Sequence, residues 1–360
     1  LAVKEEELSR REEELLWRES TAQQRAGAGR GVEVVDFSEL ELEARPLAAG
    51  SFKDVYRARW LRAGQADGGH VAVLVLRSRV GSMASEVALF ESLVRHPHLC
   101  RLLATTVRPQ TQEQCMVMEF AERGSLDGVL QDLSESGTDT PTHAVLLTAA
   151  AQVCEAMEQL GQHGVIHRDL AARNCLVFGF HSTMRRHVLV KVTDYGRAVA
   201  AGVRTVTTNS SGGGGPMRWM APESIKFRRY WDKSDVFSFG TLMWEMWSGG
   251  EIPFSHVAED EEVARRVMGG ARPERPAECP DAVFAVMERC WKPNKNDRPG
   301  FAELKFDLQD ALIAVEREGI VSLEDPDEGL CVVCLERPAP HALLPCGHRC
   351  ASEEDAAVLD

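Results

Sequence analysis

The spacing of apolar residues divides the chain into stretches of different character. Residues 1–26 alternate acidic and basic blocks, with Leu1, Leu8 and Leu15 seven apart, and Glu6–Arg10 and Glu7–Arg11 standing four apart, where opposite charges support a helix. One apolar position per heptad is filled, so the pattern predicts a solvated helix or the end of a coiled coil, through which copies of the chain could associate. Gly27, Gly29 and Gly31 mark a linker over 27–35. From 36 to about 135 the pattern predicts mainly strands. Val71-Ala72-Val73-Leu74-Val75-Leu76 reads as a central one, and Ala84–Val94 as the single helix, with Glu86 near its start. From 143 to 317 helical periodicity takes over, at Ala144–Leu160, Asp235–Trp247, Asp281–Trp291 and Phe301–Arg317. An acidic linker, 318–329, and a Cys/His-rich segment, 330–360, follow. The expected class is α+β, with a small β-rich lobe and a larger helical lobe within 36–317.

Composition narrows the possibilities. A chain of 360 residues, 44% hydrophobic and 27% charged, suits two compact units plus linkers. Its net charge of −14 argues against a nucleic-acid partner, which needs a basic footprint. No run of apolar residues is long enough to span a bilayer. The start at Leu1, running into Lys4-Glu5-Glu6-Glu7, resembles no signal peptide and suggests a piece of a longer protein. Of ten cysteines, six are scattered singly and four crowd into 331–350, as expected of a reducing, intracellular and cytoplasmic protein.

The chemistry concentrates in a few motifs. His167-Arg168-Asp169-Leu170-Ala171-Ala172-Arg173-Asn174 matches the H-R-D-L-x-x-x-N catalytic loop of protein kinases. Asp194-Tyr195-Gly196 resembles the D-F-G motif with Tyr for Phe, and its hydroxyl needs a partner when buried. Met220-Ala221-Pro222-Glu223, Ser234–Gly240 and Cys290-Trp291 with Asp297-Arg298-Pro299 resemble the helical-lobe signatures of the same family, in the same order. The resemblance implies a two-lobed kinase fold with ATP and Mg2+ between the lobes and a protein substrate. It assigns Asp169 as the group that accepts the substrate proton, Arg173 as its basic companion, and Asn174 and Asp194 as magnesium ligands. Gly50, Ser51, Val55, Ala72, Glu119, Phe120 and Leu176 are the expected nucleotide contacts. Glu223 is expected to pair with Arg298.

Two motifs depart from the family. The phosphate-covering loop, Leu47-Ala48-Ala49-Gly50-Ser51-Phe52-Lys53-Asp54-Val55, keeps only its middle glycine. On the third strand the V-A-I-K lysine position is Leu74, which leaves the helix glutamate, Glu86, without its usual cation. Arg77, three residues on, points to the opposite strand face, whereas Lys53, two before Val55, shares the cleft-facing side. Gly50–Tyr56 is also similar to the with-no-lysine kinases, which carry the catalytic lysine at this position. The leading expectation is an active kinase using Lys53, Glu86, Asp169, Asn174 and Asp194. The alternatives are a pseudokinase or nucleotide-binding scaffold without turnover, and an adaptor built on the Cys/His segment.

The acceptor could be Ser/Thr or Tyr. Arg173 and Pro216–Ile225 carry tyrosine-kinase wording that the tyrosine-kinase-like Ser/Thr group largely shares, and the reading leans towards Ser/Thr or dual. No tyrosine lies between Gly196 and Glu223, so Thr205, Thr207, Thr208, Ser210 and Ser211 are the hydroxyls available for regulation there. Cys331-x2-Cys334-x11-Cys346-x-His348 has zinc-ligand spacing and resembles the first half of a RING finger, without a second half.

Overall fold

The computed structural model describes residues 32–49, 53–61, 69–77, 83–93, 95–137, 139–195, 198–200, 217–323, 342–343 and 349–351. The first lobe is a sheet built on β5 (His70–Leu76), whose residues 71–73 and 75 are buried. β5 is flanked by β4 (Lys53–Trp60) and β7 (Gln114–Glu119), both antiparallel to it. Both its faces meet apolar clusters, Val71, Val73 and Val75 on one side and Ala72 and Leu74 on the other, which explains its near-continuous apolar run. β6 (Leu102–Val107) lies beyond β7, and β2 (Leu40–Leu42) and β3 (Ala48–Ala49) both pair with β4. Glu33–Val34 form β1, parallel to β6 opposite Ala104 and Thr105. The end of the stretch expected as linker, 27–35, is thus strand at Glu33–Val34, while 27–31 lie outside the described residues. A two-residue strand leaves no periodicity, and the edge of β6 supplies its order. Among the described residues the lobe's α-helix is α1 (Met83–Ser92), besides a 3-10 turn at Phe37–Glu39.

The second lobe is helical. α2 (Leu126–Ser136) and α3 (His143–Gln162) lead into a short β8 (Val165–Ile166), the catalytic loop and the hairpin β9 (Cys175–Gly179)–β10 (Leu189–Val192). β8 pairs with β11 (Val199–Ala200). Next come α4 (Pro222–Phe227), α5 (Asp232–Trp247), α6 (Asp260–Met268), α7 (Asp281–Cys290) and α8 (Phe301–Leu323). Every residue of α5 from Ser234 to Trp247 is buried, as a helix apolar all round requires. Gly240 is the close approach that lets α7 pack, since a Cβ there would stand 2.6 Å from that of Cys290. α8 outruns its expected end at Arg317 by six residues, through Ile320, Val321 and Leu323, so the linker expected from 318 begins in helix. A final pair joins β12 (Ala342–Leu343) to β13 (Arg349–Ala351). Among the described residues no helix is long and apolar enough to cross a bilayer.

One ion pair closes this lobe. Arg298, 0% exposed, grips Glu223 through two parallel bonds, Nη1 to Oε1 at 2.7 Å and Nη2 to Oε2 at 2.8 Å. Its remaining donors reach the carbonyls of Lys292 and Lys233, so the buried guanidinium is well satisfied. Glu223→Ala would strand that charge, and equilibrium unfolding should show a loss of about 3–5 kcal/mol. A loss below about 1 kcal/mol would mean that the carbonyls alone satisfy Arg298.

Candidate active site

The cleft groups arrive from four elements. Asp169, Arg173 and Asn174 share the loop between β8 and β9, Asp194 follows β10, Glu86 comes from α1 and Lys53 opens β4. Strand register explains how Lys53 stands beside the position that Leu74 fills. Val55 is paired with Leu74 and Lys53 with Leu76, so Lys53 is the diagonal neighbour of Leu74, about 7–8 Å away on the same face. Leu74 packs instead with Ala72, Val55, Cys100, Met118, Phe120 and Leu176 in an apolar cluster. Arg77 pairs with Asp54 at 2.7 Å, on the side opposite Lys53.

Lys53 Nζ lies 2.6 Å from Asp194 Oδ1 and 4.0 Å from Glu86 Oε1, with side chains 22%, 34% and 14% exposed in that order. Burial works against the ammonium, but Asp194, Glu86 and Asp169 outweigh it and raise its pKa. Glu86 is also pushed up, first by burial and further by Asp194, with Lys53 opposing. For an ion pair these directions conflict, one partner looking well matched and the other not. The distances resolve the conflict. Lys53 is committed to Asp194, and Glu86 holds the weaker share.

The catalytic loop is held by buried carboxylates. Asp235, at 2% exposure, accepts the N–H of His167 at 2.7 Å and that of Arg168 at 2.9 Å. Burial lifts its carboxyl to about 6, against His167 and those two amides. Glu245, also on α5, accepts the N–H of Ala172 at 2.9 Å, and burial lifts it to about 8. Asp169 is ion-paired with Arg173 four residues on, and the Arg173 guanidinium stacks over the Trp219 ring at 4.3 Å. Arg218 anchors this platform from Asp260 at 2.7 Å and from the carbonyls of Pro253, Phe254 and Val257. Arg168 lies over the Tyr230 ring at 4.6 Å. Asn174 Nδ2 donates to the Asp169 carbonyl at 2.6 Å, which leaves Oδ1 for a metal. With the carboxylate of Asp194 this makes an oxygen donor set that suits a hard cation such as magnesium.

Other expected contacts divide. Val55, Ala72, Phe120 and Leu176 meet in the apolar cluster that borders the cleft. The carboxylate of Glu119 turns to Lys191 at 2.7 Å and Arg101 at 3.7 Å, so a nucleotide contact there falls to its backbone. Gly50, Ser51, the hydroxyls at 205–211 and Cys331, Cys334, Cys346 and His348 lie outside the described residues. Glu245 and Met118 were not anticipated. The signal for Glu245 was a lone carboxylate inside the apolar run Phe239–Trp247.

A β-rich lobe over a helical one, with a carboxylate, an amide and a lysine converging between them, is the architecture of a protein kinase domain. Residues 42–308 match the model for protein tyrosine and serine/threonine kinases, and the chain belongs to that family. It is 35% identical over 261 residues to the tyrosine-protein kinase transforming protein Abl of Abelson murine leukemia virus, covering 72% of this chain and 32% of that protein. It is 33% identical over 274 residues to the human tyrosine-protein kinase TXK, covering 75% and 48%. It is 34% identical over 244 residues to the insulin-like growth factor 1 receptor of Xenopus laevis, covering 66% and 17%. The chain thus spans less than half the length of each of these relatives.

The raised carboxyls set a pH dependence. Each folded pKa exceeds its unfolded value, so the stabilisation is fully present at low pH and is lost as pH rises, from about 4.5 to 8 for Glu245. Glu245→Gln keeps an acceptor for the Ala172 amide and removes the titration. Urea unfolding from pH 5 to 8 should show a shallower decline in that variant, and an unchanged slope would count against a buried, titrating Glu245.

Proposed function

We propose that residues 36–317 form an active protein kinase domain that transfers the γ-phosphoryl group of ATP to a protein hydroxyl, with Lys53 in place of the third-strand lysine. The observation that carries this reading is Lys53 Nζ at 2.6 Å from Asp194, with Glu86 on its other side. Leu74 alone would leave the cleft without a cation for the phosphates, the condition that favours a pseudokinase.

In this mechanism Asp169 orients the acceptor hydroxyl and takes its proton as the oxygen attacks phosphorus. Arg173 holds the Asp169 carboxylate in place and stays charged throughout. Asn174 and Asp194 are the residues that would hold magnesium, which, when bound, neutralises charge on the β- and γ-phosphates. With Asp194 serving as a metal ligand, Lys53 would be free to hold the phosphates and to pair with Glu86. The platform of Arg173 on Trp219 and the resemblance to tyrosine-protein kinases support a tyrosine acceptor over the Ser/Thr leaning of the sequence pattern.

Substitution tests the proposal. Lys53→Met should abolish phosphorylation of a tyrosine-containing peptide as fully as Asp169→Asn, while Arg77→Met should change the rate by less than about threefold. Near-normal turnover by Lys53→Met would end the displaced-lysine reading. No turnover by the unmodified chain, with magnesium-nucleotide binding intact, would favour the scaffold.

The Cys/His segment adds a second, separate proposal. Three thiolates and an imidazole from Cys331, Cys334, Cys346 and His348 have the chemistry of one zinc site. Metal analysis of the purified chain should find about one zinc, released by changing Cys331 and Cys334 together to serine. A zinc-free preparation from zinc-supplemented cells would refute it.

A further inference from the structure

The motif residue that departs from the family pattern, Tyr195, has a use for its extra atom. Its ring is 2% exposed and stands edge-on to Phe90 of α1, with centroids 4.9 Å apart, and to His167 of the catalytic loop at 5.8 Å. Phe90 lies four residues after Glu86 on the same helix, hence on the same face. The Tyr195 hydroxyl donates to the carbonyl of Val192 at 2.9 Å, and that carbonyl also accepts the N–H of Cys100 at 2.9 Å. His167 Nε2 donates to the Thr193 carbonyl at 3.0 Å while its Nδ1 accepts the Asp169 amide at 3.3 Å, so the ring is tied to the backbone on both sides. Directly after these two anchored carbonyls comes Asp194, with φ at +64°, a left-handed conformation that few non-glycine residues adopt.

We infer that Tyr195 is a positioning residue. Its hydroxyl, closed onto the carbonyl three residues back, latches the strained turn that aims the Asp194 carboxylate into the cleft, and the same ring braces the helix that carries Glu86. A phenylalanine fills the same apolar space and keeps the ring packing, His167 and the backbone bonds of the turn, but loses the hydroxyl's tie to Val192. Turning the ring outward from its site breaks one buried hydrogen bond in Tyr195 and none in the phenylalanine form. The difference should make the outward state about three- to tenfold rarer in this protein. The inference rests on the kinase reading only for the use to which Asp194 is put.

Tyr195→Phe tests it without turnover, and phenylalanine is the residue of the family motif. Hydrogen exchange should quicken about three- to tenfold at the Thr193 amide, which donates to the Asn174 carbonyl at 2.9 Å. The amides of His167 and Arg168, held by Asp235, should keep their rates. A diaryl-urea ATP competitor, whose tail occupies the space an outward ring vacates, should bind the variant more tightly by a similar factor. A Thr193 rate within twofold of the unmodified chain, or a urea affinity that gains less than twofold, overturns the inference whatever the variant's catalytic rate.

Discussion

The carboxylate of Asp235 is the fixed point to which the rest of the cleft is referred. It projects from α5, a helix buried on every side, and its oxygens hold the successive amides of His167 and Arg168. Those two amides lie where Arg168 takes a left-handed φ of +70°, a bend that an extended loop would not hold unaided. Asp169 follows directly, so it inherits the rigidity of a helix that is buried from Ser234 to Trp247. Glu245, ten residues along the same helix, does the same for Ala172 and so for Arg173 and Asn174 beyond it. Two carboxylates on one core helix therefore shape both ends of the catalytic loop.

The family of this chain and its two-lobed outline were legible in the sequence because they rest on long, strongly patterned segments. α5 has to be buried when Val236 to Trp247 is apolar almost throughout, and β5 has to be central when Val71 to Leu76 carries no polar face. The same features hid other things. β1 is two residues long and owes its order to β6, which no local pattern records. α8 continues past Arg317 to Leu323, across an acidic stretch that reads as linker. Glu119 stands at a nucleotide-contact position in the motif, yet its side chain turns to Lys191 and Arg101, cations contributed by distant segments.

Electrostatics in the cleft were only half legible. Alternation along β4 puts Lys53 and Val55 on one face, and that much follows from counting residues. The partition of Lys53 between Asp194 and Glu86 depends on distances of 2.6 and 4.0 Å, which arise from how the two lobes meet. The raised pKa of Glu86 follows from that geometry, because burial acts on it more strongly than a lysine beyond hydrogen-bond range can offset. Burial raises Asp235 and Glu245 too, with backbone amides in place of a lysine as the groups that oppose it.

The pairing of Val55 with Leu74 carries a consequence for how such chains are recognised. In an antiparallel pair, two positions just over twenty residues apart in the chain, Lys53 and Leu74, become diagonal neighbours over one pocket. A long side chain launched from either one can deliver its charge to the same few cubic ångströms. Under the displaced-lysine proposal, the requirement for a cation is written in the register and not in a letter at a fixed column. A search keyed to that letter files this domain among those that have lost the group, although a lysine stands one diagonal step away.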